Sequence, residues 1–399
     1  MNIVLFAILA AGLATQWIPA RSAWGAEQVA IFTLAIACLI RYAWVRKEPT
    51  TDLSLLPLIG VVAIGCLQLI TNTTVDRWAT SEQTLMWLTW LAAHGIALHV
   101  CTDDRVRLRF FRLAGGLGIA LAILAILHRT TSAGKVFWWF ETGRSFVMGV
   151  FPYENQYAAF VLVVLPVVLI EGLTGPRNRL AWMLGAAIMA GSVISSAAVA
   201  GALLVLLEPI AVVAWIARRS RGAIARNAVG TLVAVLAVAV AIGFVGGWKD
   251  MLHDIERRNP LDLRQNLSAS TIAMARDRWS TGWGLGTWTQ VYPAYARFDD
   301  GVFDNAAHND WAQWTAEGGV AMLAMLALFL FLLARAVGRT PLAIGLVLAL
   351  LHDLIEFHFQ ERPAFGCFFF AFAGAVLAAA NSPVENIAGG KTARATVQA

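Results

Sequence analysis

The side chains best able to do chemistry in this sequence are two arginines and a histidine that stand in polar intervals between apolar runs: Arg144, Arg264 and His308. A guanidinium presents a planar fork of donors, keeps its charge at any relevant pH and pairs bidentately with phosphate oxygens. Two of them from different loops could clamp a pyrophosphate. His308 opens the segment HNDWAQW, an amphipathic helix entry. Its imidazole, titrating near ~6.5 when unperturbed, could take a proton from a sugar hydroxyl or hold that hydroxyl in place. The bland alternatives are a solvated or headgroup-bound arginine and a hydrogen-bonded interfacial histidine. Arg257, Arg258, Arg276, Arg278 and Arg297 fit the bland reading better.

Other polar groups carry less. Gly282, Gly284 and Gly286 alternate with Trp283 and Leu285. No strand precedes them, so a nucleotide-binding loop is a poor reading and a tight re-entrant turn a better one. Asp299, Asp300 and Asp304 lack further ligands at close spacing and read as a solvated acidic loop, so no metal is expected. His352 and Glu356 are four apart and would share a helix face. They read as a structural pair supporting an outer cavity.

The elements that must position these groups are membrane helices. The chain of 399 residues is 59% hydrophobic and 14% charged, with mean hydropathy +0.66. A soluble domain is nearer ~45–50% apolar and ~25% charged. Apolar runs fall at about 2–20, 27–45, 54–71, 82–101, 109–128, 156–173, 179–196, 199–217, 228–247, 312–335, 340–356 and 363–381. Each is close to the roughly 20 residues that cross a bilayer as a helix satisfying its own backbone. The reading is an all-α integral membrane protein of about twelve transmembrane helices. It forms one polytopic domain over 1–381, with a disordered tail over 382–399. The continuous apolar stretch 179–217 is split at Ser195-Ser196, and the first run is taken as a helix and not a signal peptide. The four cysteines fall in or beside apolar runs and read as small core residues. The net charge of +5 does not argue for nucleic acid.

Basic residues alternate between loops. Arg46-Lys47, Arg105, Arg107, Arg109, Arg177, Arg179, Arg218, Arg219, Arg221, Arg226, Arg335, Arg339, Lys391 and Arg394 share one side, which the positive-inside rule makes cytoplasmic. The long loops 129–155 and 248–311 then lie outside. A loop of the second size is not needed to join two helices. It reads as the active-site loop of a membrane enzyme handling an anionic, lipid-carried substrate.

Three separated segments resemble the O-antigen ligase and polymerase-related membrane proteins, and a fourth is similar to a further one. GVFPYENQYAAFVLVVLP from Gly149 places Asn155 and Ala158 at matching positions. RQNLSASTIAMARDRWSTGWGLGTW carries Arg264 and the spaced glycines. HNDWAQWTAEGG begins with His308-Asn309, and HDLIEFHFQERPA ends in proline-alanine. Trp279 replaces a proline usual before the glycines, and Val199 stands where the family often has an arginine.

The resemblance implies a GT-C-like fold with a large periplasmic loop between helices 9 and 10. It also implies a metal-independent glycosyltransferase at the outer face of the inner membrane. The donor would be a glycan on undecaprenyl pyrophosphate, and the acceptor a lipid A-core sugar or, in a polymerase, a growing glycan. Membrane lipids surround it, and neither cofactor nor nucleic acid is implied. Arg264 would bind pyrophosphate and His308 would assist the acceptor hydroxyl or the leaving group. Asn155, Gly284, Gly286 and Asn309 would line the substrate site, and Arg144 is added from its loop. A transporter or flippase would need charge at mid-membrane depth, whereas Arg41, Glu171 and Glu208 read as lying near helix ends. A cysteine introduced at Asp300 should be labelled by an impermeant thiol reagent once the outer barrier is removed. Labelling confined to lysed cells would reverse the topology.

Overall fold

The computed structural model describes residues 1–45, 50–175, 178–219, 223–247, 260–297, 304–360 and 363–381. Arg46, Lys47, Arg177, Arg221, Arg257, Arg258, Asp299, Asp300, Lys391, Arg394 and the 382–399 tail lie outside them. The side chains of 223–227, Arg226 among them, and of 260–263 are also outside the description.

Every apolar run is helical. The helices are α1 (Asn2–Thr15), α2 (Arg21–Val45), α3 (Leu55–Thr71), α4 (Arg77–Val100), α5 (Asp104–Thr131), α6 (Glu154–Thr174), α7 (Arg179–Ile194), α8 (Val199–Arg219) and α9 (Ala223–Gly246). They continue with α10 (Pro260–Asp277), the short α11 (Trp288–Val291), α12 (Asp310–Val337), α13 (Ala343–His352) and α14 (Pro363–Asn381). A two-stranded hairpin, β1 (Lys135–Val136) with β2 (Phe140–Glu141), sits between α5 and α6.

Among the described residues, seven helices are long and apolar enough to cross a membrane: α2, α5, α6, α8, α9, α12 and α14. Helices α1, α3, α7 and α13 are apolar but shorter. With 14 residues, α1 is only about 21 Å long at ~1.5 Å per residue, against roughly 30 Å of hydrocarbon. The protein is therefore a helical membrane protein whose hydrophobic runs are unequal. The turn expected at Ser195-Ser196 separates α7 from α8. Cys38, Cys101 and Cys367 are buried, but Cys66 is exposed on α3.

Helix α14 is buried along nearly its whole length and packs on α4. Around it Trp87 of α4 meets Trp90 of α4 and Trp314 of α12 edge-to-face, while Phe370 of α14 lies tilted against Trp87 and stacked on Trp90. Such pairs add about 0.5–1.5 kcal/mol each beyond burial. At the opposite end of the bundle Trp215 Nε1 donates to Val337 O at 2.6 Å and Arg219 to Gly338 O. The basic ends of α8 and α12 thus meet, as the charge alternation requires.

Two expectations need correction. Glu208 lies near the middle of α8, fully buried, with no hydrogen bond to either carboxyl oxygen. Glu27 of α2 is buried as well. One carboxylate inside a long apolar run barely changes its average hydropathy, so hydropathy does not show how deep Glu208 lies or that Glu27 is buried. Absence of charge from the helices therefore does not distinguish a transferase from a transporter.

Helix α12 is broken. Gly319 has φ 71° and ψ −168°, so the segments before and after it are separate helices in line of sequence. A break frees backbone groups, and in an apolar setting each must find a partner. Here Trp283 N donates to Ala316 O and Gly284 N to Glu317 O, each at 3.0 Å, while Val320 N donates to Trp279 O at 2.7 Å. Gln68 Nε2 of α3 adds a bond to Glu317 O at 2.8 Å. A Cβ at Gly319 would sit 2.8 Å from Trp279 O, besides the strain of a positive φ. Gly319→Ala should therefore cost about 1–3 kcal/mol, read as a lowered thermal midpoint in detergent; an unchanged midpoint would show that the break relaxes freely.

Candidate active site

Helix α10 lies in the interval expected to be a loop, and it carries Arg264. Its register is held from its own C-terminal side: Trp288 Nε1 donates to Thr271 Oγ1 at 2.9 Å and Trp283 Nε1 to Met274 O at 2.9 Å. Leu267, Met274, Trp288, Tyr292 and Ala316 form a small apolar cluster that fastens α10 to α12. Arg264 then reaches across to Glu356 and donates from Nη2 to its Oε1. The Arg264 side chain is 27% exposed and that of Glu356 2%, so a ligand can approach the guanidinium but not the carboxylate behind it.

Glu356 belongs to the turn after α13, fixed on several sides. Asp310 N donates to Asp353 O at 3.0 Å and Glu356 O at 3.1 Å. Phe359 N donates to Asp310 Oδ2 at 3.2 Å, and the Phe359 ring packs on Trp90 and Trp314. Gln156 Nε2 of α6 donates to His358 O at 2.6 Å, and Asn155 hydrogen-bonds the Glu356 side chain. Burial pushes the Glu356 carboxyl up to about 8, with Arg264 pulling in the opposite direction. The expected His352–Glu356 pair does not form. Helix α13 ends at His352, so the i,i+4 relation is lost; His352 Nδ1 instead meets His358 Nε2 at 3.0 Å.

His308 immediately precedes the cap of α12, with φ 49°. Its ring stands edge-on to Phe357 at 4.3 Å between centroids, and its buried Nδ1 has no hydrogen-bond partner among the described residues. Phe357 is edge-on to Tyr153 at 5.7 Å, and Arg144 stacks on Tyr153 at 3.9 Å. Arg144, Asn155, Arg264 and His308 are thus tied to the single turn Glu356-Phe357. Glu356, Tyr153 and Phe357 were missed as site residues. The four-residue spacing from His352 drew attention to a helix face instead.

The remaining expected contacts have other uses. Asn309 caps α12, its Oδ1 accepting from Ala312 N at 2.9 Å. Gly286 N donates to Glu317 Oε2 at 2.9 Å and Trp288 N to Glu317 Oε1 at 3.3 Å, and Gly284 N is taken by the helix break. A Cβ on Gly284 would lie 2.0 Å from Thr74 Oγ1. These glycines shape a turn, and their N–H groups are engaged within the protein and not offered to a phosphate. Arg278 donates to Thr73 O at 3.0 Å and stacks on Trp283, a structural role. Val199, where an arginine was expected, begins α8 and is 39% exposed.

A partly exposed arginine, a second arginine across an aromatic row and an imidazole whose buried nitrogen has no partner among the described residues thus gather at one turn. Residues 179–327 match the family model described as O-antigen ligase. That match, which covers less than half of the chain, supports a relation to the O-antigen ligase and polymerase-related proteins over those residues. It includes Arg264, the glycine segment and His308, and stops short of Arg144, Asn155 and Glu356. No curated protein matches the chain.

Burial, and next the Arg264 charge, lower the His308 pKa from 6.5 to about 4, so the ring is neutral at neutral pH. Between those values the unfolded chain binds more protons than the folded one. His308 therefore contributes stability that is complete above about 6.5 and is lost as pH falls toward 4. The stability difference between wild type and His308→Gln should shift against the wild type over that interval. A pH-independent difference would mean that the imidazole titrates normally.

Proposed function

We propose that this protein transfers a glycan from undecaprenyl pyrophosphate to a lipid A-core sugar at the periplasmic face of the inner membrane. The carrying observation is that Arg264 and His308, both inside the family match, converge on the Glu356-Phe357 turn. In this reading Arg264 binds the pyrophosphate, assisted by Arg144 from the opposite side of the Tyr153–Phe357 row. The acceptor hydroxyl oxygen attacks the anomeric carbon, the carbon–oxygen bond to pyrophosphate breaks, and the pyrophosphate leaves with the electron pair. Neutral His308 receives or orients the hydroxyl proton. The donor is already activated, so neither ATP nor a metal is required. Asn155 holds Glu356, while Gly284, Gly286 and Asn309 shape and position the surrounding turn. A polymerase would use a carrier-linked repeat as acceptor at the same groups.

Purified protein supplied with a carrier-linked glycan, lipid A-core and a second carrier-linked repeat should modify lipid A-core preferentially. Exclusive elongation of the repeat would make it a polymerase. Arg264→Ala should abolish transfer and weaken donor binding, and Lys should rescue poorly because the donor fork is lost. Arg276→Ala should behave as wild type. Full activity in a well-folded Arg264→Ala protein would sink the assignment.

His308→Ala should lose on the order of 10² to 10⁴ in turnover with donor affinity little changed. A less stable variant with normal turnover per folded molecule would make His308 a helix-entry anchor only.

A further inference from the structure

The α1–α2 hairpin and the first residues of α14 line a cavity of about 180 Å³. Two of its lining side chains are unusual. Glu27 is 5% exposed, and apart from the Cys367 thiol, a weak donor, neither carboxyl oxygen has a hydrogen-bond partner. Gln16 is also 5% exposed, with both its amide nitrogen and its amide oxygen unpaired. Buried polar groups are nearly always paired, and each exception calls for an explanation. Gly12 provides room for the arrangement: a Cβ there would fall 2.3 Å from Glu27 Oε1. The rest of the wall is largely apolar, with Ile18, Pro19, Trp24 and Pro363. A few convergent polar groups in an apolar wall is the usual make-up of a small-molecule site.

The unpaired atoms select the ligand's chemistry. A cation would satisfy Glu27 and leave the Gln16 amide donors unmet. An anion would face the carboxyl, and Arg21 at the rim already pairs with Glu82. A polyhydroxylated ring offers donors and acceptors together, and an apolar face for Trp24. The volume suits one such ring and is below the roughly 300–1,000 Å³ of drug-sized sites. Pro363 and Ala364 begin α14 just after the segment bearing Glu356, Phe357 and His358, so the cavity lies at the same end of the bundle as the candidate active site.

We propose that Glu27 and Gln16 hold one sugar residue of the acceptor glycan in this cavity, away from the transferring groups. The cavity as a sugar site stands on its own geometry; its assignment to the acceptor rests on the transferase reading. Full-length protein in nanodiscs can be probed by saturation-transfer NMR with methyl β-glucopyranoside and N-acetylglucosamine. Ring protons of at least one probe should be saturated by wild type. The signal should fall by roughly tenfold in Glu27→Ala and Gln16→Ala, as expected where a site hydrogen-bonds hydroxyls. Gly12→Ala, which drives the carboxyl into the cavity, should act likewise. Glu27→Ala should keep its thermal midpoint, because it removes an unpaired buried carboxyl, and Arg264→Ala should keep the sugar signal.

No saturation by wild type, or equal saturation in the cavity variants, would mean that water alone fills the space and would overturn the proposal. Loss of signal in Arg264→Ala would place the sugar at the other site, with the same consequence. In transfer assays Glu27→Ala should raise the acceptor KM several-fold with kcat unchanged; a raised donor KM instead would overturn the acceptor assignment. Saturation without any transfer by wild type would sink the transferase reading while leaving the sugar cavity intact.

Discussion

The architecture depends on the break in α12 at Gly319. A helix interrupted among apolar neighbours must have its exposed carbonyls and amides met by protein, since hydrocarbon offers no partners. The glycine segment meets them: Trp283 and Gly284 donate to the carbonyls of Ala316 and Glu317, and Trp279 accepts from Val320. That engagement draws a stretch of backbone against the helix so closely that only glycine fits at 284. The Glu317 carboxylate then accepts from Gly286 and Trp288, and Gln313 donates to it at 3.2 Å while accepting from Ala307 N at 3.0 Å. A chain of bonds consequently runs from the break to the residue beside His308. The short helix before the break points His308 and Asp310 at the Glu356 turn, and the polar interval is folded back to bring Arg264 to the same place.

Much of this was legible from sequence at the level of runs and residue types. Each apolar run contains a helix, because period and length are local properties, but among the described residues only seven helices are long and apolar enough to cross a membrane. Arg264, Arg144 and His308 drew attention as guanidinium and imidazole groups outside the apolar runs, and Asn155 through the family resemblance; the structure brings all four to one turn. The wiring between them was not legible. That α13 stops at His352 depends on the bonds Asp310 makes to the 353–356 backbone, a contact across more than forty residues with no local signature. The glycines were read correctly as a turn, but what the turn serves appears only when Gly319 is seen to break a helix whose hydropathy is continuous. Glu208 was placed at a helix end instead of mid-helix and Glu27 went unnamed, because the averaging that makes membrane spans easy to find carries no information on the depth of one carboxylate. Helix α10 went unrecognised because its composition is polar, and its order derives from the Trp283 and Trp288 indoles.

The Arg264–Glu356 pair gives the candidate site a particular electrostatic character. A buried ion pair is poor evidence for stability, because desolvation offsets much of the attraction, yet removing one partner leaves the other exposed to the full cost. In the transfer reading a pyrophosphate approaching Arg264 competes with Glu356 for the guanidinium. The carboxyl is already shifted to about 8 by burial, with Arg264 restraining it. Sharing Arg264 with a phosphate weakens that restraint, so the carboxyl favours its protonated form still more strongly. At neutral pH the protonated form already predominates, so a phosphate at Arg264 does not face a second full anion across one arginine. Asn155, hydrogen-bonded to the Glu356 side chain, holds the carboxyl in place beside Arg264.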